Sequence, residues 1–94
     1  SIVYAEHFSH MIHVHTSKAR ELVTRQSFEA FNALLKMDLR FYQCNRGLVI
    51  NLEHAVDFDG TVFVMDNGNQ IPVSQKLVKN ARETFMEFLF QKGH

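Results

Sequence analysis

Val56–Phe58 and Thr61–Met65 flank the pair Asp59-Gly60, and no other feature constrains the chain as tightly. Both runs are short and β-prone, and glycine accepts the positive φ that a two-residue turn demands, so they must fold back on each other as a hairpin. Asp66-Asn67-Gly68-Asn69 makes a second turn, leading into Gln70–Val73. The only proline, Pro72, cannot donate to a sheet ladder and belongs at the edge or end of that strand.

Turns also divide the first half of the chain. Ile2–Ala5 reads as a strand, the polar His7–His10 as a loop, and Met11–Thr16 as a half-buried strand with Ile12 and Val14 opposite His13 and His15. Ser17–Ala19 reads as a turn and Glu21–Thr24 as the returning strand. Phe41–Cys44 and Leu48–Asn51 are strand-like around the polar trio Asn45-Arg46-Gly47. Ser27 is placed to cap a helix ending at Leu35, with Phe28, Phe31, Leu34 and Leu35 at core-facing spacing. Ser74 is placed to cap a last helix to about Phe90, whose apolar stripe is Leu77, Val78, Ala81, Phe85, Phe88 and Leu89. The expected fold is α+β and β-rich, with about seven short strands and two helices in one domain over residues 1–94.

The apolar fraction of 46% and charged fraction of 21% are those of an ordinary globular domain. No apolar stretch approaches the roughly 18 to 20 residues that span a bilayer, and nothing resembles a signal peptide. Cys44 is the only cysteine, which excludes an intrachain disulfide and suits a cytoplasmic protein. The chain opens on Ser1 without an initiator methionine, so an excised fragment of a larger protein is expected.

Ten basic residues balance ten acidic ones, but unevenly along the chain. Residues 67–82 carry only Lys76, Lys79 and Arg82, and residues 39–52 only Arg40 and Arg46. Residues 53–66 carry only Glu53, Asp57, Asp59 and Asp66. If the first two segments share a face, a neutral protein has a basic side; otherwise the charges are a solvated mosaic.

Phe41–Leu52 (FYQCNRGLVINL) and Gln70–Ser74 (QIPVS) resemble the LytTR family of DNA-binding domains, found at the C-terminus of LytR/AlgR-type bacterial response regulators. Phe41, Cys44, Arg46 and Asn51 fit the family's middle pattern, and Ile71, Pro72, Val73 and Ser74 its later one. Ile2–Glu6 and Phe28–Leu35 resemble its opening strand and short helix, so the likeness covers nearly the whole chain in order. Asn45 stands where the family usually has histidine, Gly47 where it has serine, and Gln75 where arginine is common. The family's first strand normally precedes the point where this chain begins.

The resemblance implies an elongated β fold that lays loops into successive major grooves of double-stranded DNA, as the output domain of a two-component transcriptional regulator. It implies promoter direct repeats as the target, a homodimer on DNA, and neither cofactor nor membrane contact. The contact loops it implies are His7–His10, Asn45–Gly47 and Ser74–Lys76, giving Ser9, His10, Asn45, Arg46, Ser74, Gln75, Lys76 and Lys79 as candidate DNA contacts. Arg46 ranks first, because a guanidinium can donate two hydrogen bonds to guanine O6 and N7. Asn45 can read an adenine or cap its turn, and Gln75 suits adenine. Lys76 and Lys79 suit phosphate, and Ser74 can cap its helix or hold a phosphate.

His13 and His15 form an i, i+2 pair, but no carboxylate or cysteine stands near them at ligand spacing, and no metal site is expected. Asn51 is expected to be buried, satisfying backbone groups that position the Arg46 loop. Cys44 is the only candidate nucleophile, and its aromatic neighbours argue for a packed thiol, so no enzyme is expected. The rival reading is a non-catalytic interaction or dimerisation module using the last helix.

Overall fold

The structure is a computed structural model that describes residues 1–18 and 20–92; Ala19, part of the turn expected over residues 17–19, lies outside the described residues. Strands β1 (Ile2–Phe8), β2 (Met11–Thr16) and β3 (Glu21–Thr24) are followed by helix α1 (Phe28–Leu35). Strands β4 (Phe41–Asn45) and β5 (Leu48–Asn51) come next, then a 3-10 turn at Leu52–His54. After β6 (Ala55–Phe58), β7 (Val62–Met65) and β8 (Gln70–Pro72), a second 3-10 turn at Gln75–Leu77 leads into α2 (Val78–Lys92). Among the described residues eight strands stand where about seven were expected, in an antiparallel five-stranded sheet ordered β3-β2-β1-β5-β4 and a three-stranded sheet ordered β6-β7-β8. The molecule measures 35 × 29 × 25 Å, a modest elongation.

Two clusters of buried side chains hold the layers together. The larger joins β1, β4 and β5 to the small sheet and α2, through Val3, Tyr4, Ile50, Phe63, Ile71 and Phe85 among others. Phe63, fully buried, is its centre: its ring lies 4.7 Å from that of Phe58 and meets Phe85 edge-on at 5.5 Å. Edge-on rings bring a positive rim to a negative face and add to the burial. The smaller cluster packs Phe31 of α1, with Phe28 and Leu35, against Ala5, Ile12 and Val14. Two leucines expected in the core are not there: Leu34 is 66% exposed and Leu89 44% exposed. Each adjoins an apolar residue that packs inward, Leu35 or Phe88, and a helix turns successive side chains about 100° apart, so only one of each pair faces the sheet.

Several local expectations are corrected. β1 does not end at Ala5 but runs to Phe8, because Glu6, His7 and Phe8 pair with His13, Ile12 and Met11. The loop expected over His7–His10 therefore shrinks to Ser9 and His10, whose φ angles of 52° and 62° close a tight turn. The β6–β7 connection is one residue longer than Asp59-Gly60. The Asp59 carboxylate accepts from the Thr61 and Val62 amides at 2.8 and 2.9 Å and from the Thr61 hydroxyl at 2.9 Å, drawing Thr61 into the turn. Those donors hold the Asp59 carboxyl below its usual range. Ser27 caps α1 as expected, accepting from the Ala30 amide at 3.1 Å. Ser74 makes no side-chain cap; its carbonyl accepts from the Leu77 amide at 2.8 Å, and the 3-10 turn intervenes before α2. Pro72 closes edge strand β8, where its missing N–H costs no ladder bond.

Candidate nucleic-acid interface

The sheet register brings the three loop segments to one end of the five-stranded sheet. Glu6 pairs with Leu48, and the His7 amide donates to the Gly47 carbonyl at 2.8 Å, so the β4–β5 turn lies beside the last residues of β1. β1 continues past that point to the Ser9-His10 turn. The Ser74 amide donates to the Cys44 carbonyl at 2.8 Å, which fixes the start of the second 3-10 turn against the end of β4.

At the β4–β5 turn, Asn45 is engaged at both ends of its amide. Its Oδ1 accepts from the Arg46 amide at 2.8 Å, and its Nδ2 donates to the Pro72 carbonyl at 3.3 Å. Below it, Gln43 Nε2 reaches the Asn45 carbonyl at 3.5 Å, while Gln43 Oε1 accepts from Asn32 of α1 at 2.9 Å. Asn32 is buried and was missed in the sequence, although an amide at i+4 from Phe28 on an apolar helix face was a visible signal. Gly47, at φ 70°, faces His7 so closely that a Cβ there would stand 3.3 Å from the His7 carbonyl oxygen. The turn is thus held on three sides and leaves the Arg46 side chain exposed.

Arg46, Ser74 and Lys76 line one open depression together with Gln43, Asn45 and Leu77. Two cations from the two acid-free segments therefore share a surface. Arg40 does not join them: Asp38 at 2.6 Å and Glu53 at 3.7 Å pair with it, and its hydrogen bonds hold the Asp38 carboxyl down to about 2. Arg82 lies over the Phe58 ring at 5.3 Å. Gln75 is exposed on a different depression, lined also by Gly60, Thr61, Val73 and Val78 beside the Asp59 turn. Lys79 is exposed in the first turn of α2, which carries no acid. Ser9 and His10 line a third depression with Met11 and Arg25.

The family model of the LytTr DNA-binding domain matches residues 1–86. The chain belongs to the LytTR family. Among solved structures, this LytTR domain is similar to one described as the LytTr DNA-binding domain of a response regulator from Bacillus cereus. The two share 27% identity with a TM-score of 0.73, over 88% of this chain and 79% of that one. No curated protein matches. The family is one of DNA-binding domains.

The remaining candidates resolve into structural roles. Cys44 is fully buried, burial pushes its thiol up to about 12, and its Sγ lies 3.7 Å from the Pro72 carbonyl, which leaves no thiolate for nucleophilic attack. Asn51 is buried as expected, but it serves the opposite end of β5 from Arg46: it donates to the Ile2 carbonyl at 2.8 Å and accepts from the Glu53 amide at 3.0 Å. His13 and His15 do have carboxylates beside them, supplied across strands. His13 pairs with Glu21 at 3.0 Å and stacks on Phe8, and His15 pairs with Glu6 at 3.1 Å and stacks on Tyr4. The His13 hydrogen bond holds the Glu21 carboxyl below its usual range. Among the described residues no group of three or more His, Cys, Asp or Glu side chains is placed to hold a metal ion, and no helix is long and apolar enough to cross a membrane.

Proposed function

We propose that this LytTR domain binds double-stranded DNA sequence-specifically, with its turns in the major groove, as the non-catalytic output module of a cytoplasmic transcriptional regulator. The observation that carries this reading is the convergence of Ser9-His10, Asn45–Gly47 and Ser74–Lys76 at one end of the sheet, with Arg46 and Lys76 on one exposed depression. Arg46 reads a base edge, and Asn45 acts through it by fixing the turn. Lys76, Lys79 and Ser74 hold phosphates, since an ammonium supplies charge with little directional demand. Gln75 and His10 extend base contact to either side, Gln75 from the depression it shares with Gly60 and Thr61, where its amide suits adenine. The similar Bacillus cereus domain belongs to a response regulator, which supports a place in a two-component system acting on promoter direct repeats as a homodimer. The test is a gel shift at near-physiological salt with random-sequence competitor. Binding to selected duplex should survive competition, and Lys76→Ala should weaken all duplexes while lowering the log–log salt slope by about one. An unchanged slope removes Lys76 from the contacts.

A second reading, a protein-interaction module, is favoured by exposed apolar side chains: Met37 and Leu39 are 86% and 83% exposed between α1 and β4, and Met86 is 63% exposed on the last helix. Failure of any duplex to be retained in the same gel shift selects it.

A further inference from the structure

Arg25 follows β3, the outer strand of the five-stranded sheet. Ile12 pairs with Thr24 and Phe8 with Met11, so Arg25 stands at the same end of the sheet as the Ser9-His10 turn. It lines one surface depression with Ser9, His10 and Met11. The side chain is exposed and takes part in none of the ion pairs found among the described residues, unlike Arg40, which two carboxylates neutralise. The sheet order β3-β2-β1-β5-β4 then sets the sequence of groups along this end as Arg25, His10, Arg46, with Lys76 beyond.

Spacing decides what Arg25 does. From the β4–β5 turn to β3 is three and a half strand spacings, about 17 Å at roughly 4.8 Å each. The major groove of B-DNA is about 12 Å wide. Arg25 and Arg46 thus stand further apart than the groove is wide, so with Arg46 in the groove and the row of turns laid across it, Arg25 falls over the sugar–phosphate backbone.

We infer that Arg25 is a phosphate clamp at the outer rim of the DNA interface, holding the backbone beside the β1–β2 turn while Arg46 reads base edges. The inference rests on the DNA-binding reading above. It assigns Arg25 affinity and orientation, and no base preference, because phosphate contacts position a protein without carrying sequence information.

The test measures binding of the domain by fluorescence anisotropy to its selected duplex and to a random duplex, across a range of salt concentrations. Arg25→Gln is expected to weaken both about fivefold and to lower the salt slope by about one, with the ratio between duplexes kept. Arg25→Lys, which keeps the charge, is expected to retain the parent slope. The position is exposed, so thermal unfolding should match the parent for both variants. An unchanged slope in Arg25→Gln overturns the inference, as does a changed ratio between duplexes, which means base contact. If the parent domain binds neither duplex, the DNA-binding reading itself fails. If it binds with the slope unaltered by Arg25→Gln, only the role of Arg25 is lost.

Discussion

Gly47 shows how one residue sets the position of another. Its φ of 70° lies in the left-handed region, and a Cβ would also meet the His7 carbonyl oxygen at 3.3 Å and the His7 Cβ at 3.4 Å. Gly68 has a similar φ of 89° but nothing within 4 Å. Gly47→Ala is therefore expected to cost the left-handed penalty of about 1–2 kcal/mol, plus the displacement of β1, whereas Gly68→Ala bears the first cost alone. Denaturant unfolding of the two variants checks this; an equal loss in both means that contact with His7 adds nothing. A serine, usual at this position in the family, would bring the same Cβ against β1. The glycine thus goes with a β1–β5 contact close enough to fix the height at which Arg46 is presented. Asn45 completes that arrangement, since its amide binds the Arg46 amide and the Pro72 carbonyl.

The β1–β2 hairpin raises the same question for an element. Tight turns with two positive φ angles favour Asn-Gly or Gly-Gly, yet this one is Ser9-His10, at 52° and 62°. Two side chains with a Cβ are held there at a cost, and residues kept in such conformations cluster at functional sites. His10→Gly is expected to stabilise the fold by up to about 1 kcal/mol by relieving one strained residue, and at the same time to weaken DNA binding. Stability rising while affinity is unchanged means that the histidine contributes nothing to the interface. Period-two patterning located β2 and its buried Ile12 and Val14, but it could not show that β1 runs through the polar Glu6 and His7, because a strand pairing on both sides tolerates polar residues wherever one face reaches solvent. Helical periodicity found both helices and the inward packing of Phe28, Phe31, Phe85 and Phe88, while Phe90, also expected in the core, is 70% exposed. Where two apolar residues adjoin, as in Leu34-Leu35 and Phe88-Leu89, the pattern does not say which packs inward. The carboxylates beside His13 and His15, and Gln43 as the partner of Asn32, come from other elements, and linear spacing carries no trace of these pairings.

For the whole molecule, balanced charge is compatible with DNA binding because folding sorts the charges. Asp38 and Glu53 neutralise Arg40, and Asp66 pairs with His54, while Arg25, Arg46, Lys76 and Lys79 stay exposed and form none of the ion pairs found among the described residues. The family match over residues 1–86 was legible as an ordered series of motifs. The split of the candidate contacts over separate depressions was not, since Gln75 and Lys76 are adjacent in sequence yet line different surfaces. The proposed function requires that this surface select a DNA sequence and that Arg46 do part of the reading. Random-site selection with the domain and with Arg46→Ala tests it most directly. One enriched motif is expected for the parent and, for the variant, the same motif with preference relaxed at one base pair, a loss of about 1–3 kcal/mol of discrimination there. No enrichment by the parent, or an identical motif from the variant, would contradict it.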